Sequence, residues 1–180
     1  MELNEFLMDR MCKSSSPPPI VIIVWKDYKY TYIPKKGESM QNIYNLYYVA
    51  GLFDGEGTVT LAHNSNREFR RPIVSITSTS YELIEWLHNS FNGIVCNHRK
   101  YKDHHKKSWV WHIASDNAIK FLEQISDKIQ EKEKIRRVNL ILNKYKSVTK
   151  RNGKYTEKEI KAKQEFENEF FANSLKVDQI

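Results

Sequence analysis

Cysteine is scarce in this chain: Cys12 and Cys96 are the only two in 180 residues. Two thiols make no disulfide framework and cannot complete a thiolate zinc site alone, so a reducing, intracellular compartment is expected. Long apolar runs are lacking as well. The longest, Pro19 to Trp25, falls far short of the roughly 20 residues of a membrane span, and a transmembrane protein is not expected. The same run follows the acids Glu2, Glu5 and Asp9 and three prolines and ends in no small-residue cleavage site, so it reads as a poor signal peptide. No low-complexity stretch dominates the chain, and 40% hydrophobic with 12% aromatic residues is too apolar for disorder. The length allows one domain, or one domain with an appendage, burying about 70% of the unfolded surface.

What the chain does have is positive charge. Lys and Arg number 29 against 22 Asp and Glu, a net +7, and a basic surface of this kind meets a polyanion or keeps a protein soluble. The bases cluster at Arg67 to Arg71, His98 to Lys107 and Lys132 to Arg137. The chain also favours Lys, Asn, Ile and Tyr, and Lys over Arg. AT-rich coding DNA, as in an organelle (mitochondrion or plastid) or a phage-like genome, produces that bias.

Three segments are expected: an N-terminal extension over 1–42, a core domain over 43–148, and a C-terminal linker and helix over 149–180. In the first, the Ser14 to Pro19 loop has polyproline character, and the β-branched and aromatic stretch Ile20 to Ile33 predicts one or two strands. From Ile43 to Asp54 apolar residues cover almost the whole circumference of a helix, so it should be buried on most sides, with Gly55 and Gly57 stopping it. Thr58 to Asn64 and Pro72 to Thr77 alternate as strands around an Asn64-Ser65-Asn66 turn. Tyr81 to Phe91 follows as a helix with Ser80 as N-cap, ended by Asn92-Gly93. Ile94 to Tyr101 and Ser108 to Ala114 read as strands joined by a basic turn, and Ser115-Asp116 opens another helix. Glu131 to Tyr145 and Thr156 to Phe171 are two more helical stretches. The order αββαββα favours an α+β fold, an antiparallel four-stranded sheet with helices on one face.

The most informative segment is Leu46 to Gly57, where Asp54 and Glu56, flanked by glycines, end a nearly all-apolar helix. A helix C-terminus carries partial negative charge and disfavours acids, so a cation should lie nearby. Within it, Val49-Ala50-Gly51-Leu52-Phe53-Asp54-Gly55-Glu56-Gly57 resembles the signature motif of the LAGLIDADG homing endonucleases. Val stands for the first Leu, Phe for Ile, Gly for the second Ala and Glu for the last Asp. The resemblance covers roughly Ile43 to Tyr145 and agrees with the αββαββα order; the motif occurs once, which in that family implies a homodimer.

The resemblance implies a site-specific, divalent-metal-dependent double-strand DNA endonuclease of the intron-homing type, acting on a long pseudo-palindromic site. Ala50 and Gly51 would be the small residues at the dimer axis. Glu56 would bind the metal, with the backbone carbonyl of Gly55, and Asp54 would be structural. Hard oxygen ligands and a phosphate substrate suit Mg²⁺. Lys134, ahead of Arg136-Arg137-Val138-Asn139-Leu140, is similar to the lysine that sits near the scissile phosphate and would polarise or position the attacking water. Ser78 departs from the Gln that many relatives place there.

The sheet would supply the DNA surface, since strand alternation decides which side chains enter a groove. Thr58, Thr60, Ala62 and Asn64 are expected outward on the first strand, and Arg71, Ile73, Ser75 and Thr77 on the second. Cys96, His98 and Lys100 are expected outward on the third, and Trp109 and Trp111 on the fourth, the alternative there being both tryptophans in the core with Val110 and His112 outward. His104 and His105 are adjacent and point apart, so zinc is not expected there. The partners implied are double-stranded DNA and a second copy of the chain, with no membrane. An RNA-binding maturase of the same fold, or a DNA-binding protein that does not cleave, are the alternatives; the intact Glu56 favours the enzyme.

Overall fold

The computed structural model describes residues 21–25, 28–32, 40–63, 69–97, 106–150 and 153–172. It divides into two compact units, Met1–Asn45 and Leu46–Ile180. In the first, strands β1 (Val21–Trp25) and β2 (Tyr28–Tyr32) pair antiparallel, Val21 opposite Tyr32. Helix α1 (Met40–Glu56) begins there and leads into strand β3 (Gly57–Ala62). Next come β4 (Arg71–Ser78), α2 (Tyr81–Phe91), β5 (Ile94–Asn97), β6 (Trp109–Ala114) and α3 (Ser115–Ile125). Helix α4 (Lys132–Leu140) passes into a π-helical turn at Ile141–Tyr145, and α5 (Glu157–Phe171) ends the described chain.

The four-stranded sheet has the order β3-β4-β6-β5, with every pair antiparallel. Alternation decides its two faces. Val59 and Leu61, Val74 and Ile76, and Trp111 and Ile113 are buried, whereas the residues between them on the same strands remain partly or fully exposed. The buried set meets Val49, Ala50 and Phe53 of α1, Ile84 and Leu87 of α2, and Ile119, Leu122 and Ile125 of α3 in one core. Val138, Ile141, Phe166 and Phe170 join the same core, so α4 and α5 belong to the helical layer too.

Local chemistry fixes the joints. The Ser80 hydroxyl accepts the Leu83 N–H at 3.3 Å and starts α2, and Asn92 and Gly93, at φ 58° and 104°, turn the chain into β5. Gly55 does not stop α1, which runs through Glu56; the switch to β3 falls at Gly57, where a Cβ would come within 2.6 Å of the Phe53 carbonyl oxygen. Helix α5 opens with a capping box between Thr156 and Glu159. That box, with Lys150 beside it, holds the Glu159 carboxyl down at about 2, the Thr156 main-chain N–H being the largest influence.

Candidate functional site

The C-terminus of α1 is built against the N-terminus of α4. Helix ends leave carbonyls unpaired at one terminus and N–H groups at the other, with partial charges of opposite sign. Here the two ends satisfy each other. The Asp54 carboxylate accepts the main-chain N–H groups of Gln130 at 2.8 Å and Glu131 at 3.3 Å. Glu131, the N-cap of α4, accepts those of Glu133 at 3.0 Å and Lys134 at 2.7 Å. The Lys134 ammonium returns to α1 and donates to the carbonyls of Phe53 at 2.8 Å and Asp54 at 2.6 Å. A helix end that disfavours acids thus has a cation from its own chain, and Asp54 sits where N–H groups, not carbonyls, surround its carboxylate.

Past this joint the chain opens to solvent. Gly55 and Glu56 are both exposed, and nothing lies within 4 Å of where a Cβ on Gly55 would be. Among the described residues no group of three or more His, Cys, Asp or Glu is gathered closely enough to hold a metal ion. One chain therefore offers a carboxylate and open main chain, not a closed coordination shell.

The sheet face turned away from the helices carries Thr58, Thr60 and Ala62 on β3 and Ile73, Ser75 and Thr77 on β4, all at least partly exposed. Register sets Thr58 opposite Ser75 and Thr60 opposite Ile73. Cys96 is exposed on the same face, opposite Val110, and Ile94 lies opposite His112. Arg71 has the register of this face, opposite Ala62, and is partly exposed. Asn64, His98 and Lys100 lie outside the described residues.

Two expectations are corrected. Trp111 does not face outward: it is fully buried, its indole N–H donates to the Asn92 carbonyl, and its ring meets Phe121 with centroids 5.4 Å apart. Trp109 shares that side, its ring against Tyr81 at 5.4 Å. Outward places on β6 belong to Val110 and His112, opposite Thr77 and Ser75. The indole surface is too large to leave wet when the helical layer offers aromatic partners and a carbonyl. Ala50 is likewise no surface residue; with Val49 and Phe53 it packs into its own chain's core. The exposed stripe of α1 runs instead through Tyr47, Tyr48, Gly51 and Gly55, the two tyrosines 52% and 57% exposed.

The basic cluster at Lys132 to Arg137 is largely consumed inside the fold. Besides Lys134, Arg136 binds Glu133 at 2.6 Å and the carbonyls of Glu169 at 3.1 Å and Phe170 at 2.9 Å. Arg137 pairs with the same Glu133 at 2.9 Å. These charges were expected to serve a polyanion surface, and on β6 the alternative phase, with Val110 and His112 outward, is the one the structure adopts.

Residues 44–126 match the family model described as a LAGLIDADG-like domain. The chain carries a LAGLIDADG-like domain. The LAGLIDADG homing endonuclease I-GzeII, solved in complex with its DNA target, aligns at a TM-score of 0.52 with 22% identity. That alignment covers 71% of this chain and 44% of the I-GzeII chain. The homing endonuclease I-TnaI aligns at 0.50 with 16% identity, over 71% of this chain and 88% of its own. No curated protein matches the chain. At these identities the structures speak for the fold, an antiparallel sheet backed by helices with the LAGLIDADG-like helix entering its first strand.

Proposed function

We propose that the chain is a site-specific, divalent-metal-dependent double-strand DNA endonuclease acting as a homodimer on a long pseudo-palindromic site. The observation that carries this reading is the exposed Glu56 closing the motif helix of a LAGLIDADG-like domain, at the point where an open antiparallel sheet begins. I-GzeII, which has the same fold, is a homing endonuclease solved on its DNA target.

The residues at the end of α1 fit a divalent cation. Mg²⁺ accepts one or two carboxylates and keeps several waters, and the Glu56 carboxylate with the Gly55 carbonyl would hold it. Lys134 takes the two carbonyls before that of Gly55. The ion, when bound, stabilises charge on the attacking and leaving oxygens of phosphodiester hydrolysis. An ammonium has three N–H donors, so Lys134 keeps one for a water or phosphate oxygen while it caps α1. Asp54 holds the helix end that carries Glu56. Thr58, Thr60, Ala62, Asn64, Arg71, Ile73, Ser75, Thr77, Cys96, His98 and Lys100, with Val110 and His112, would meet the groove. One carboxylate per chain and two strands to cut require two copies, and a DNA substrate implies an intracellular site of action.

The test is incubation with a library of DNA duplexes and Mg²⁺, followed by sequencing of cut ends. Glu56→Gln should keep DNA affinity and lose cleavage by about 10²- to 10³-fold or more, the scale for removing one group that stabilises transition-state charge. Absence of Mg²⁺-dependent ends with the unaltered chain, or full cleavage by Glu56→Gln, overturns the reading.

A further inference from the structure

We propose that Glu167 of α5 is a positioning residue for the DNA-facing sheet, fixing the outer end of β4 through Arg70. The inference rests on the reading that the open sheet face binds DNA. Glu167 is only 8% exposed, and a carboxylate so buried is costly unless both oxygens are engaged. They are: one accepts the main-chain N–H of Arg70 at 3.1 Å and the other its guanidinium at 2.7 Å. Holding a main-chain group as well as a side chain locates the backbone itself, and Arg70 immediately precedes β4. The grip is reinforced on either side. The Arg70 guanidinium lies over the Phe171 ring at 5.2 Å, and the Phe69 and Tyr155 rings meet with centroids 4.8 Å apart.

A strut positions a strand only if it is itself fixed, and α5 is. The Lys163 ammonium, fully buried, donates to the Thr149 hydroxyl at 2.6 Å and sits 4.0 Å from the centroid of the Tyr145 ring. At the far end Arg136 of α4 holds the last carbonyls of α5. Helix α5 thus ties the α4 side of the helical layer to one end of one strand. That end, Arg71 opposite Ala62, belongs to the outer β3–β4 ribbon, whereas Ser75 and Thr77 pair with β6 in the middle of the sheet. With a rise of about 3.3 Å per strand residue, the held end stands well over one base-pair step from the centre. Releasing Glu167 should let the ribbon end pivot while the centre, pinned by β6, stays.

The experiment selects DNA from a randomised duplex pool with the full chain, Glu167→Ala and Glu167→Gln, and counts base preference position by position. Expected is a roughly tenfold loss of preference, about 1.4 kcal/mol, confined to one contiguous block in each half-site with Glu167→Ala. The central block and the affinity for random DNA should be unchanged. Glu167→Gln, whose amide oxygen still accepts the Arg70 N–H and whose shape preserves the fold, should lose less. An unchanged profile overturns the proposal, as does a uniform loss at all positions that tracks a lowered melting temperature. So does a gain in affinity with Glu167→Ala, which would make Arg70 a direct DNA contact that Glu167 holds back. No preference with the unaltered chain would defeat the DNA reading itself, and this proposal with it.

Discussion

Single residues at the α1–α4 joint divide work that their charges alone would not suggest. Asp54 and Glu56 are two apart and nearly alike, yet Asp54 receives two main-chain N–H groups while Glu56 faces solvent. Their sequence motif distinguishes them; their composition does not. Lys163 is the sharper surprise, because a lysine in an amphiphilic C-terminal helix reads as a solvated charge and here is fully buried. Burial pulls its pKa from 10.5 down to about 8, with Glu167 opposing. The charged form is therefore penalised in the folded state, and the unfolded chain binds the extra proton between about 8 and 10.5. Stability should rise with pH across that window, by on the order of 3 kcal/mol if nothing else titrated. Tyr145, whose pKa burial raises, acts in the opposite sense above about 10, so the rise should be clearest between pH 8 and 10. Urea unfolding midpoints of the chain and of Lys163→Met over that range check this; the Met variant should have lost the upward slope.

At the scale of elements, much of the architecture could be read from the chain, because several boundaries have a local cause. Ser80 caps α2, Asn92 and Gly93 end it with positive φ, and Thr156 with Glu159 opens α5. The phase of β3 and β4 followed from Val59, Leu61, Val74 and Ile76, the apolar members of clean alternations. Strand β6 obeys the same rule, Trp109, Trp111 and Ile113 being its wholly apolar phase against Val110 and His112, and the expectation of outward tryptophans went against it. That phase is anchored by long-range partners, the Asn92 carbonyl and the Phe121 ring, that no window of sequence contains. The two faces of β6 can be separated by substitution. Trp111→Ala removes a fully buried indole and should cost about 3 to 5 kcal/mol. His112→Ala, on the open face, should leave unfolding within about 0.5 kcal/mol of the parent while weakening DNA binding. Thermal unfolding and a filter-binding titration on the same two variants decide it; equal losses of stability would mean that β6 has no outward side.

For the whole molecule, the proposed homodimer rests on one motif per chain, while its residues of contact were open to error because a helix apolar on most sides shows no clear stripe in sequence. The structure narrows them. Ala50 is spent on the chain's own core, leaving Tyr47, Tyr48, Gly51 and Gly55 as the stripe through which α1 of a second copy would approach. Gly51 separates folding from assembly because nothing lies within 4 Å of a Cβ placed there. A Cβ at that position has open space around it, and replacing a helix-interior glycine by leucine adds helix propensity worth roughly 0.5 to 1 kcal/mol. Gly51→Leu should therefore melt at the same temperature as a single chain or slightly higher. The added side chain would stand between two helices that need close backbone approach, so the variant should sediment as a monomer where the parent is a dimer. Cleavage of both strands should then disappear even though Glu56, Asp54 and Lys134 are untouched. A parent chain that stays monomeric both free and on DNA would remove the premise, and a Gly51→Leu variant that dimerises and cuts like the parent would move the interface off α1.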